Sequence, residues 1–359
     1  MKKDKDRYWD CLDQAMEASH SGRIDEALAW LDEALKAHPA GAEAHNGRGE
    51  ILWDEGRADE ALYEFERAIA ADAKFSAAYL NRIELLIEDM GESELALEAC
   101  DQLLAGTAEL PRLDRALQAE LYYLKAKALF FVDDLEGAVF LVRRAIKSAG
   151  DQPAYFAFEG HVLFELGQYE EARRIFERAA AIEPDSAHIV YSLALVLERV
   201  LDEGGAASAE EAEAMNQAAQ LAFERANALD PGQFPMPASI TEDDFERATA
   251  EALNNLPRSV QEYIANVPVL VEPYPSRDLV QSERLSPQIL GLFMGIPRTQ
   301  AAMTEQVPDI DRVLLFKKNL EKICRDREEL IDQIQITVRH EIGHYLGLDE
   351  DDLDRLGLR

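Results

Sequence analysis

The sequence is poor in cysteine, in long apolar runs and in positive charge, and each shortage removes a class of protein. Its three cysteines, Cys11, Cys100 and Cys324, lie far apart and form no CxxC pair. That argues against a disulfide framework and a thiolate metal site, and leaves each as a buried free thiol. No apolar run is long enough to span a bilayer, and the opening MKKDKDRYWD has no apolar stretch behind its basic residues. Neither a membrane protein nor a signal peptide is expected, and a cytoplasmic location follows. Basic residues number 37 against 70 acidic ones, a formal net charge of -33. Such a surface repels phosphate backbones, so nucleic acid is a poor partner, whereas basic partners are admitted. What is plentiful is core material: 47% of the 359 residues are hydrophobic, in a chain long enough for two or three domains.

The first two thirds repeat. Gly22, Gly56 and Gly91 recur at steps of about 34 residues, as do Ala27, Ala61 and Ala96, then Ala138 and Ala172. The best copies are GRIDEALAWLDEALKAHP, GRADEALYEFERAIAAD and GQYEEARRIFERAAAIEP. Small residues at these sites let two helices approach, and Phe65 or Phe176 fills the space between successive pairs. No pair buries its apolar face alone, so the pairs must stack. The period and these positions resemble the tetratricopeptide repeat (TPR). That resemblance implies an all-α superhelix of about six helix pairs, over residues 7–232, with a groove that binds protein or peptide. Asn46, Glu50, Trp53, His161 and Phe164 are candidates for its inner face. Two copies depart from the pattern: Glu84 takes a small helix site in the third, and Asp133 replaces the turn glycine in the fourth. The sixth copy is split by LDEGGAASAE.

The period stops at Pro231, and PGQFPMPAS marks a boundary between residues 1–235 and 236–359. Beyond it, TEDDFERATAEALNNL reads as a helix capped by Thr241, and SVQEYIANV as a shorter one. VPVLVEPYP, ILGLFMGIP and DRVLLF read as strands, and a helix is expected from about Arg327 to Leu346. The second domain is therefore a small α+β unit.

That last helix contains HEIGH. His340 and His344, four apart, share one helical face and can converge on one ion. Glu341 sits beside them, where a general base for an activated water belongs. Gly347 suits the left-handed cap that ends a helix. The turn brings Asp349, Glu350, Asp351 and Asp352 back toward the histidines, and Glu350 stands where HExxHxxGxxH enzymes hold a third zinc ligand. Ending at Arg359, the sequence is expected to have neither a downstream glutamate ligand nor a methionine turn. The five other histidines, all in the repeats, show no ligand spacing.

Residues 245–359 resemble the minimal zincin family through FERATAEALNNLP, VPVLVEPYP, LGLFMGIP, DRVLLFKKNLEKIC and TVRHEIGHYLGLDEDDLDRLG. The resemblance implies a short twisted sheet over the HExxH helix and one Zn2+ held by His340, His344 and an acidic residue, Glu350 or a flanking Asp349 or Asp351. Glu341 is then the catalytic base of a metallopeptidase. In zincins a peptide lies along an edge strand; ILGLFMGIP is a candidate edge, and an ordinary core strand is the alternative. Two functions are carried forward: a zinc metalloendopeptidase with a substrate-docking repeat domain, and a non-catalytic adaptor with a metal-binding zincin remnant. A purely structural zinc site would require a fourth protein ligand.

Overall fold

The computed structural model describes residues 2–265, 267–295 and 311–348. Among these, 17 helices and three strands fall into two compact units, Met1–Val162 and Leu163–Arg359.

The first unit holds α1 (Lys2–His20), α2 (Ile24–Ala37), α3 (Ala42–Asp54), α4 (Ala58–Ala71), α5 (Ser76–Glu88), α6 (Ser93–Ala105), α7 (Arg115–Phe131), α8 (Leu135–Ala149) and most of α9 (Pro153–Glu165). Helices pack as sequential pairs, α1 with α2, α3 with α4 and α7 with α8. The repeated alanines Ala27, Ala61, Ala96 and Ala138 are all fully buried at these contacts. At Gly49 an added Cβ would lie 2.5 Å from the Phe65 ring, so that ring needs a bare backbone opposite it. The pairs turn the same way each time. At Gly56 (φ 71°), the glycine N–H donates to Trp53 O at 2.8 Å and Arg57 N–H to Leu52 O at 2.9 Å. Asp133, the residue in place of a turn glycine, adopts the same left-handed conformation (φ 62°) and bonds, with Asp133 N–H donating to Phe130 O and Asp134 N–H to Leu129 O. Aspartate tolerates that region better than most side chains, so the turn survives the substitution. Glu84, at a small helix site, stays half-buried and pairs with Lys127 at 3.2 Å.

The second unit continues with α10 (Tyr169–Ile182), α11 (Ala187–Asp202) and α12 (Ala209–Leu229). Then follow α13 (Glu242–Asn254), α14 (Arg258–Ile264), β1 (Val269–Glu272), α15 (Arg277–Glu283), β2 (Gly291–Met294), β3 (Arg312–Phe316), α16 (Lys317–Ile323) and α17 (Arg327–Leu346). The sheet order is β1-β3-β2. Strand β1 runs parallel to β3, with Val269 opposite Val313, and β2 antiparallel, with Leu292 opposite Leu314. The central run Val313–Phe316 is buried throughout, as its unbroken apolar sequence demands. Helix α17 presents Leu330, Ile334, Val338 and Ile342, each four residues on, to a core shared with Phe245 and Ala248 of α13 and Val313 and Leu315 of β3.

A buried polar network joins α11 to the segments that follow β1 and β3. The Arg199 guanidinium, fully buried, lies 4.6 Å from the ring centres of Tyr169 and Tyr274. It donates to Tyr169 Oη at 2.9 Å and to Pro275 O at 2.7 Å. Beside it, Lys322 Nζ meets Glu198 Oε2 at 2.6 Å and donates to Tyr274 Oη at 2.8 Å, while Tyr274 O–H donates to the same carboxylate at 2.7 Å. Burial lowers the Lys322 pKa, and burial followed by the Glu198 charge raises that of Tyr274.

Candidate metal centre

Helix α17 positions the HEIGH residues. Asp326 caps its start, its carboxylate accepting from Glu328 N–H at 2.9 Å and Glu329 N–H at 3.0 Å. Gly347 (φ 84°) ends it, its N–H donating to His344 O at 3.0 Å while Leu348 N–H donates to Gly343 O at 3.1 Å. Between these caps the helical period separates three faces. Val338 and Ile342 enter the core, His340 and His344 stand half-buried on another side, and Thr337 and Glu341 meet β2.

The two imidazoles converge. His340 Nε2 and His344 Nε2 lie 3.0 Å apart, with the rings nearly perpendicular at 86°. Two nitrogens bound tetrahedrally to one zinc, each at about 2.0–2.1 Å, would be about 3.3 Å apart. The pair thus fits two adjacent positions of a zinc site after a shift of a few tenths of an ångström.

Glu341 faces elsewhere. It is 7% exposed, and its Oε2 accepts from Phe293 N–H of β2 at 2.7 Å. The ladder explains why that donor is available. Phe316 N–H donates to Leu290 O, so the hydrogen-bonded pairs with β3 alternate through Leu292 and Met294, and the Phe293 N–H points to the outer edge of β2. Gly291 makes the approach possible: a Cβ there would lie 2.7 Å from Thr337 Cγ2 and 3.0 Å from Glu341 Cγ. Tyr345 takes no part in this face. It is buried, with its ring 5.4 Å from that of Phe293.

Asn319 on α16 pins the approach to β2. Its Nδ2 donates to Pro287 O at 2.9 Å and Ile289 O at 2.7 Å. None of these supports was singled out from the sequence, although an isolated glycine within LGLF signals a close backbone approach. Glu350, Asp349 and Asp351 lie outside the described residues, and among the described residues no three metal-ligating side chains gather.

Residues 264–358 match the Zincin-like metallopeptidase family. In the rest of the chain, residues 12–77 match the Tetratricopeptide repeat family and residues 160–200 the TPR repeat family. The zincin-like match encloses all three strands and the HEIGH helix. A human protein named Protein O-mannosyl-transferase TMTC1 is 26% identical over 186 residues, 51% of this chain but 20% of its own length. The chain thus spans about a fifth of that relative. Among solved structures, Pseudomonas aeruginosa pilF superposes with a TM-score of 0.51 at 15% identity, covering 68% of this chain and 99% of pilF. The type IV pilus biogenesis factor PilW gives 0.51 at 17% identity, covering 63% of this chain and 94% of PilW. At these identities the likeness establishes the helical-repeat fold alone. The protein combines TPR repeats with a zincin-like region built on a three-stranded mixed sheet.

Proposed function

We propose that this protein is a zinc-dependent metallopeptidase whose repeats, residues 1–235, bind protein or peptide and whose residues 236–359 hydrolyse peptide bonds. His340, His344 and Glu350 would hold the metal, with Glu341 as general base. The observation carrying the reading is the 3.0 Å convergence of the two histidine Nε2 atoms on one face of α17, with the carboxylate of Glu341, on the same helix, held at the edge of β2. When bound, zinc supplies Lewis acidity, polarising a carbonyl and lowering the pKa of water toward about 7. Glu341 then removes the proton from the attacking water and returns it to the leaving amine. Phe293 N–H orients that carboxylate in the meantime. The three cysteines are free and buried, which fits a reducing, cytoplasmic location. Among the described residues no helix is long and apolar enough to cross a membrane.

Zinc should be measured on the wild type and on His344→Ala, with cleavage of a casein-like substrate followed alongside. The wild type should carry about one zinc per chain and His344→Ala far less. Glu341→Gln should retain zinc, since the amide oxygen still accepts from Phe293 N–H, and should lose cleavage. Equal cleavage by Glu341→Gln would overturn the mechanism. The adaptor reading draws on the same bond, because a carboxylate already engaged by backbone is a weaker base. Zinc binding without cleavage of a broad peptide library would favour it.

A further inference from the structure

The groove at the start of the repeats pairs an apolar floor with an acidic rim. It lies between α1 and α3, encloses about 640 Å3, and has an apolar floor that includes Leu12, Met16 and Ile51, with Met16 57% exposed. That volume suits a few side chains. Three carboxylates, Glu43, Glu50 and Asp54, line the same space, and among the described residues lining it His20 is the one basic side chain, with no lysine or arginine.

Glu43 and Glu50 are oriented by neutral donors. Glu43 accepts from Tyr8 O–H at 2.9 Å. Glu50 accepts from Asn46 Nδ2 at 2.9 Å and from Asn81 Nδ2 at 2.8 Å. Phenol and amide donors fix geometry and leave the negative charge in place. Other carboxylates of the same unit are treated differently: Glu84 and Glu88 share Lys127, and Glu33 is held by Arg7 and Lys36. Trp53, whose Nε1–H donates to Asp89, stands at the groove with its ring edge-on to Phe65, 6.3 Å between centres. A rigid indole beside uncompensated carboxylates is a surface for cations as well as for apolar groups.

We infer that this groove binds a basic peptide segment, one in which lysine or arginine alternates with a large apolar side chain. The inference rests on the reading of the repeats as a protein-binding array and names the chemistry of the partner. The apolar residue occupies the Met16–Ile51 floor, and the cations meet Glu50 and Asp54. Concentrating negative charge around a low-dielectric floor strengthens both contacts and speeds encounter.

The test is fluorescence anisotropy on the full chain. The probes are a short fluorescein-labelled peptide alternating lysine, arginine and leucine, its counterpart with glutamate for each basic residue, and an oligolysine of equal charge. The mixed peptide should bind, with both others at least about tenfold weaker. Glu50→Gln with Asp54→Asn should weaken the mixed peptide about tenfold, and Met16→Ser, an exposed change that leaves the thermal midpoint unaltered, by a similar factor. Glu94→Gln with Glu109→Gln, removing two exposed carboxylates outside the groove, should change nothing. An equal loss in this control pair, or oligolysine binding as tightly as the mixed peptide, would reduce the effect to the overall charge of -33 and overturn the proposal. If the glutamate peptide binds and Met16→Ser abolishes it, the repeats bind peptide but the basic class is wrong. If no peptide binds, the protein-binding reading falls as well.

Discussion

In Met1–Val162 the side chains buried at the recurring helix contacts are small or plainly apolar: Ala27, Ala61, Ala96, Ala138 and Phe65. In Leu163–Arg359 the largest fully buried side chain is Arg199, and Glu341, Glu321 and Asn319 are nearly as deep. The first unit has a buried polar pair too, the His45 ring with Glu64 at 2.6 Å, but it is made between the neighbouring helices α3 and α4. The pairs of the second unit reach across the chain. Arg199 bonds Pro275, Glu198 bonds Tyr274, and both partners lie 76 residues onward. Apolar stacking needs only the right size at the right period, and it tolerates exchange. A buried charge needs one partner at one place, because an unpaired one costs several kcal/mol.

Breaking the polar network should therefore have the largest effect. Lys322→Met leaves the Glu198 carboxylate with the Tyr274 O–H but without its cation and is expected to cost about 3 kcal/mol in urea denaturation, whereas Lys322→Met with Glu198→Gln should recover most of it. If the double variant is as unstable as the single, packing rather than charge holds α11 to the sheet. Phe65→Ala is the matching test in the first unit. It should cost about 3 kcal/mol by cavity formation, with zinc content unchanged.

A smaller effect is expected at Gly291. Gly291→Ala pushes against Thr337 and Glu341, should cost about 1–3 kcal/mol, and should impair cleavage more than it impairs zinc binding. The smallest effect concerns pH. Burial raises the Glu165 pKa above its ordinary 4.5, with bonds from Ser286 and Gln288 opposing the rise. The stability tied to this group is complete below pH 4.5 and is lost as pH rises through its raised value. Glu165→Gln mimics the protonated form. It should be more stable than wild type at neutral pH, by less than about 1 kcal/mol, with the difference shrinking as pH falls toward 5. A difference that grows on acidification would reverse the assignment.

Legibility from the sequence follows the same division. The period located the helix pairs, their fully buried alanines and the left-handed turns at Gly22, Gly56 and Gly167. It even located Asp133, whose φ of 62° shows the turn persisting without glycine. The strand runs gave β1, β2 and β3, and the expected span of the last helix agrees with Arg327–Leu346. Helices α15 and α16 went unread: at seven residues each they are too short for an apolar period to emerge, and α14, equally short, is legible only through the Leu-Pro break before it. The Arg199 and Lys322 network was equally silent, since nothing local distinguishes a buried arginine from a solvated one. In the candidate metal centre, spacing gave the shared face of His340 and His344. It gave no hint that the Glu341 carboxylate meets Phe293 N–H, which depends on strand register.

That bond has a consequence for the protein in a crowded cell. Among the described residues strand β2 forms the rim of its sheet, and a rim with bare backbone donors recruits strands from other chains and seeds aggregates. Glu341 covers one such donor with a charged cap. The residue proposed as general base thereby also satisfies a backbone donor at the border of the sheet. Glutamine in its place keeps the cap, whereas alanine uncovers a sticky border, and concentration-dependent assemblies should separate the two variants even where both are inert as catalysts.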